Sequence, residues 1–197
     1  MKLILASASP RRVAILSDSG IAFEVLATET DEARRGGESV EAMVLRLAEA
    51  KARAAASYEQ RAGHHEPAIV IGADTVVEID GEALGKPRSA SVAAQMLRRL
   101  SGRDHRVLTG LAVIRLLDVA TRLEVESTAV RFATLTDEEI EQYAAMHEPL
   151  DKAGGYAIQG IAGRFVERIE GCYFNVVGLP LARLYRILRE IGWKPSE

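Results

Sequence analysis

The chain has 197 residues, 48% of them hydrophobic and 27% charged, which is the make-up of a folded globular protein and not of a disordered tail. A formal charge of −3 argues against a general nucleic-acid coat, which needs a basic surface, and no apolar run approaches the roughly 18 residues of a membrane span. The one cysteine, Cys172, cannot form an intrachain disulfide, and Arg11 and Arg12 interrupt the apolar start that would otherwise resemble a signal peptide, so a cytoplasmic protein of one domain, residues 1–197, is expected.

In chain order, Lys2 to Leu5 reads as a buried strand. Ser9-Pro10 opens a helix, with the hydroxyl at the N-cap and proline at the first helical position, where its missing N–H costs nothing. Val13, Ile15 and Leu16 give that helix its inner face, and Gly20 stops it. Phe23 to Leu26 is a second strand. Val40, Met43, Val44 and Leu47 fall at helical spacing and mark an amphipathic helix from Ser39 to about Tyr58. Ala68 to Ile71 is a third buried strand, Thr75 to Ile79 continues extended, and Asp80-Gly81 turns the chain back toward Leu84. A helix from about Ser91 to Leu100 is closed by Gly102.

His105 to Leu117 and Leu123 to Phe132 read as two long strands joined near residues 118–121, an antiparallel pair. Thr136-Asp137-Glu138-Glu139 is a capping box, and Ile140 and Tyr143 continue the helix it starts. Phe165 to Ile169 and Tyr173 to Val177 read as a hairpin turning at Glu170-Gly171, and Pro180 opens a last helix that ends at Gly192. Strands interleaved with helices, and this many hairpins, give a mixed α/β fold.

Four stretches carry polar groups that folding alone does not ask for. Ser7-Ala8-Ser9-Pro10-Arg11-Arg12 follows a strand and opens a helix, a place where backbone N–H groups and the positive helix end point at one spot. Two arginines in that first turn oppose the macrodipole unless an anion sits there, and guanidinium groups bind phosphate oxygens bidentately. Asp74, in Gly72-Ala73-Asp74-Thr75, interrupts a nearly all-apolar run. A lone buried carboxylate costs several kcal/mol, so Asp74 is expected to meet a cation, a metal or several donors, the plainer role being the cap of a local turn.

Lys51 falls on the apolar stripe of its helix, four residues after Leu47, where a lysine either snorkels or serves a site. Lys86 lies in the tight loop Leu84-Gly85-Lys86-Pro87, which is one residue short of a phosphate-binding P-loop and has proline where the hydroxyl should be. Asp151 to Gly160 is a long glycine-rich connection, and such loops inside compact chains are usually functional. His64, His65, His105 and His147 are scattered, so a zinc site or a serine–histidine triad finds no support.

Taken together these stretches resemble the Maf family of nucleoside triphosphate pyrophosphatases. The likeness follows the order of nearly the whole chain: Leu5 to Arg12, Asp31-Glu32, Glu49-Ala50-Lys51-Ala52, Gly72 to Thr75, Gly85-Lys86-Pro87, Asp151 to Tyr156 and Gly178-Leu179-Pro180. The resemblance implies a mixed twisted sheet with flanking helices, two lobes around a cleft, shared with the inosine-triphosphate pyrophosphatases. It also implies a divalent metal, Mg²⁺ or Mn²⁺, a cytoplasmic location and a homodimer. The loop ending Ile158-Gln159-Gly160 looks like the branch acting on dTTP and UTP, not the one acting on 7-methyl-GTP.

By that resemblance Asp74 is the proton acceptor and Arg11, Thr75 and Gln159 are specificity positions. Ser7, Arg12, Glu32, Lys51 and Lys86 match the remaining polar site positions, Glu32 as the carboxylate that helps hold the metal; Lys152, in the motif Asp151 to Tyr156, joins the substrate-binding set. Water would attack the α-phosphorus and release nucleoside monophosphate and pyrophosphate, a reaction of positioning and charge neutralisation in which Asp74 either orients and deprotonates the water or binds the metal that does so. Two other readings are a partner-binding protein that arrests division, against which the complete set of charged residues speaks, and a purine-analogue pyrophosphatase on the same fold.

Overall fold

The computed structural model describes residues 1–63 and 66–195, so His64 and His65 lie outside the described residues. The elements run β1 (Lys2–Leu5), α1 (Pro10–Asp18), β2 (Glu24–Val25), α2 (Val40–Arg61), β3 (Ala68–Ile79), β4 (Glu82–Leu84), α3 (Ala90–Leu100), β5 (Asp104–Arg115), β6 (Ala120–Phe132), α4 (Asp137–Ala144), β7 (Val166–Glu170), α5 (Tyr173–Val177) and α6 (Leu181–Glu190). The strands hydrogen-bond in the order β2-β1-β3-β5-β6-β7 with β4 on β3, a seven-stranded sheet. β1 is parallel to β2 and β3, whereas β4 and β7 are antiparallel to their neighbours, so the sheet is mixed as its sequence pattern implies.

The chain forms two compact units. The first contains Met1–Asp74, Thr109–Glu126 and the chain from Gly178 on; the second contains Thr75–Leu108 and Ser127–Val177. In the first, α2 lies against the sheet along a lane of small residues. A Cβ on Gly72 would stand 2.2 Å from the Ala48 carbonyl oxygen and 2.8 Å from the Ala52 nitrogen, and one on Gly110 would stand 2.2 Å from the Val44 oxygen. The backbones therefore approach more closely than any side chain permits. Ala48, Ala52 and Ala55 are fully buried there with Ile4, Val70 and Ile114.

The second unit is built round aromatic edges. His105, Phe132 and Tyr156 meet edge-to-face with centroids 4.8–5.5 Å apart, and Tyr143 meets Phe165 at 5.5 Å. Such pairs contribute beyond their buried area because ring edges and faces carry opposite partial charge. The capping box at Thr136 is present in both halves: Thr136 Oγ1 accepts from the Glu139 N–H, and the Glu139 carboxylate accepts from the Thr136 N–H. Asp80 and Gly81, both at positive φ, make the β3–β4 turn.

Four local expectations need correction. Tyr173 to Val177 is the short helix α5 and no strand, and β7 pairs with β6 instead. There Asn175 donates its side-chain amide to the Val107 carbonyl and to Thr128 Oγ1, while the backbone N–H groups of Asn175 and Val176 both bond Cys172 O, the spacing of a helical turn and not of a strand ladder. Ser9 does occupy the N-cap of α1, but its hydroxyl makes no cap; its N–H donates to Ser7 Oγ. The inner face of α1 is Arg12, Ile15 and Leu16, with Val13 only half-buried. β2 shrinks from four residues to Glu24–Val25, both exposed.

Candidate active site

β3 runs unbroken through Asp74, so the carboxylate projects from the middle of a strand and caps no turn. Alternate residues of a strand share a face, which puts Asp74 on the side of Gly72, where α2 lies closest. Lys51 follows Ala48 by three residues on α2, and the close approach at Gly72 delivers it to Asp74. Lys51 Nζ is 2.7 Å from Asp74 Oδ1 and 2.7 Å from Glu32 Oε1, with 11% of its side chain exposed. A long lysine on an apolar stripe here ends on two acids and not in water.

Glu32 sits on the segment before α2, and that segment is clamped. Glu38 binds Arg46 through both oxygens, at 2.6 and 2.9 Å, and Arg46 also donates to the Ala33 carbonyl. The Arg46 guanidinium holds the Glu38 carboxyl down at about 2.

Arg12 is the second buried charge, 8% exposed on the inner face of α1. Its Nε donates to the Gly178 carbonyl at 2.8 Å and its Nη1 to Ser7 Oγ at 3.1 Å, so the guanidinium is fixed by the strand end before it and by the turn before α6. Burial lowers its pKa, with Asp74 and Glu32 opposing that and Arg11 adding to it. Burial likewise pushes the Asp74 carboxyl above the usual aspartate value. Lys51 and Arg12 pull it back only in part, and Glu32 pushes it further up. A buried acid with a raised pKa beside two cations is the electrostatic signature of a functional group.

Ser7, Arg12, Glu32, Lys51 and Asp74 are thus brought together in the first unit, with Arg11 half-buried in the same helical turn. Thr75, Lys86, Lys152 and Gln159 belong to the second unit. There Lys86 and Gln159 are exposed, Thr75 is half-buried, and Lys152 is ion-paired with Asp151. The role of Gly178 as an acceptor for Arg12 was not legible in the residue types, because a backbone carbonyl leaves no side-chain signal; the motif Gly178-Leu179-Pro180 was the only hint.

Among the described residues no group of three or more His, Cys, Asp or Glu side chains is arranged to hold a metal ion by itself. Glu32 and Asp74 do converge on one cation, the Lys51 ammonium. Two carboxylates with phosphate oxygens completing the shell is the usual donor set for Mg²⁺, which keeps waters and binds through few protein ligands. The residues present fit such an ion.

The model of the Maf-like protein family matches residues 2–191, and the chain belongs to that family. Three of its relatives carry the name dTTP/UTP pyrophosphatase. They are a protein of Geobacillus sp. strain WCH70, 50% identical with 98% of this chain and 99% of its own covered, one of Escherichia coli K12, 48% identical with 94% and 91% covered, and one of Clostridioides difficile strain 630, 44% identical with 96% and 95% covered. A solved nucleoside-triphosphatase / dITP/XTP pyrophosphatase from Mycobacterium abscessus aligns over 98% of both chains at 17% identity with a TM-score of 0.39, too low to bear on the fold.

Proposed function

We propose that this chain hydrolyses dTTP and UTP to the nucleoside monophosphate and pyrophosphate, a house-cleaning step on the nucleotide pool. The observation that carries the chemistry is the cluster of Lys51, Asp74 and Glu32 in direct contact, with the buried Arg12 acting electrostatically on both acids, two cations and two acids in all. The choice of substrate is supported by three near-full-length relatives at 44–50% identity that bear that name.

In this proposal a water oxygen bonds to the α-phosphorus, the bond from that phosphorus to the β-phosphate bridge breaks, and pyrophosphate leaves. Asp74 takes the proton the water gives up, the task for which a raised pKa suits a carboxylate. Arg12, already fixed by Ser7 and Gly178, and Lys51 neutralise charge on the phosphate oxygens with little reorganisation left to make. Glu32 would help hold a Mg²⁺ or Mn²⁺, whose contribution when bound is to neutralise phosphate charge and lower the pKa of a bound water. The roles of Arg11, Thr75, Lys86 and Lys152 in binding, and of Gln159 in reading the base, are part of the same proposal and rest on the family motifs. So do a cytoplasmic location and a homodimer.

Hydrolysis of dTTP in heavy-oxygen water with mass spectrometry of both products tests the step. Attack at the α-phosphorus puts the solvent oxygen into dTMP and none into pyrophosphate. Label in pyrophosphate, or release of inorganic phosphate instead, contradicts it.

A further inference from the structure

Gln159 is exposed near the end of a connection that is held on both sides. On the N-terminal side Tyr156 is buried, its hydroxyl 2.8 Å from His105 Nε2 and its ring edge-on to Phe132. On the C-terminal side the anchor is Glu148. Its carboxylate accepts the N–H of Ile161 at 3.2 Å, the N–H of Ala162 at 3.4 Å and the hydroxyl of Tyr143 at 2.7 Å. Gly160 lies flat on that carboxylate: a Cβ there would stand 2.2 Å from Oε2 and 2.5 Å from Oε1. One side chain therefore fixes the backbone that immediately follows Gln159.

A side-chain amide tells uracil or thymine from cytosine only while its donor and acceptor keep one orientation, because the two bases exchange donor and acceptor at the positions it reads. An amide free to turn accommodates both. We propose that Glu148 is a positioning residue for base selection: through Ile161, Ala162 and Gly160 it holds Gln159 so that the pyrimidine edge of dTTP and UTP is matched and that of CTP is not. The inference rests on the assignment of base reading to Gln159.

The test compares kcat and KM for dTTP and CTP in wild type, Glu148→Ala, Gly160→Ala, Gln159→Ala and the Glu148→Ala/Gln159→Ala double variant, each checked for folding by circular dichroism. Gly160→Ala displaces the carboxylate without removing it, so it still reports if Glu148→Ala fails to fold. The expected result is a fall of about tenfold in the dTTP-over-CTP ratio of kcat/KM in both Glu148→Ala and Gly160→Ala, the loss of one well-placed hydrogen bond. The change lies mainly in KM, and the double variant is no less selective than Gln159→Ala, since residues acting through one another do not add. Folded Glu148→Ala and Gly160→Ala proteins with the wild-type ratio would overturn the role of Glu148 alone, provided Gln159→Ala lowers it. An unchanged ratio in Gln159→Ala would instead remove base reading from Gln159, and the positioning role with it.

Discussion

Lys51 Nζ lies 2.7 Å from Asp74 Oδ1 and 2.7 Å from Glu32 Oε1, so one ammonium bridges two carboxylates that would otherwise repel. The arrangement explains how β3 tolerates an acid in the middle of an apolar strand: the ion pair offsets part of the burial cost, and what is left appears as the raised Asp74 pKa.

Asp74→Asn keeps the shape and removes the proton acceptor. Pyrophosphate release from dTTP is expected to fall by about 10²–10⁴-fold, with an unchanged circular dichroism spectrum. Asp74 works only when ionised, so its raised pKa places the acid limb of kcat/KM above pH 3.8, the ordinary aspartate value. A limb at or below that value, or near-normal turnover of the variant, would take Asp74 out of the role of base.

Lys51→Ala takes away the strongest influence that lowers the Asp74 pKa and leaves Glu32, which raises it. The acid limb should therefore move further up in pH, and turnover of dTTP should fall more than stability does. The same pH profile as wild type with only a lower Tm would return Lys51 to a structural part.

Gly72→Ala tests the close approach that delivers Lys51. The new Cβ would meet the Ala48 oxygen at 2.2 Å and the Ala52 nitrogen at 2.8 Å, both backbone atoms that cannot rotate away. Forced repacking of this kind costs about 1–3 kcal/mol, read as a lowered urea midpoint. Activity should drop beyond that, because α2 carries Lys51 with it. A variant as stable and active as wild type would mean that α2 can shift freely.

Much of this was legible beforehand because the signals are local. Ser39, the capping box at Thr136, Asp80-Gly81 and the buried run from Ala68 each announce themselves in a few residues, and Lys51 on an apolar stripe marks itself as out of place. What was not legible depends on distant partners. α5 is tied down by Asn175 reaching Val107 and Thr128, far off in sequence; Arg12 is buried because a carbonyl at Gly178 meets it; and Glu148 gains its meaning only when Ile161 and Gly160 close over it.

His105 gives stability a pH dependence separate from catalysis. It is 3% exposed, its Nε2 bonds Tyr156, its Nδ1 has no hydrogen-bond partner, and burial lowers its pKa to about 4. The unfolded chain takes up a proton near pH 6.5 that the folded protein refuses until about pH 4. The contribution is therefore complete above pH 6.5 and is lost as pH falls through that window, by about 3 kcal/mol at most. Urea unfolding of wild type and His105→Gln should show a stability difference that shrinks from pH 7 toward pH 4.5. A difference that does not change with pH would refute the neutral buried imidazole.

The most direct test of the whole account is the kcat/KM for pyrophosphate release by the wild-type protein over dTTP, UTP, CTP, ATP, GTP and 7-methyl-GTP, with and without Mg²⁺ or Mn²⁺. The account predicts release that depends on the metal, with dTTP and UTP both well ahead of CTP, since hydrogen-bonded recognition discriminates by several kcal/mol and one methyl group does not. A preference for CTP or for any of the purine nucleotides would contradict the pyrimidine assignment, and no pyrophosphate from any of them would contradict the enzyme itself.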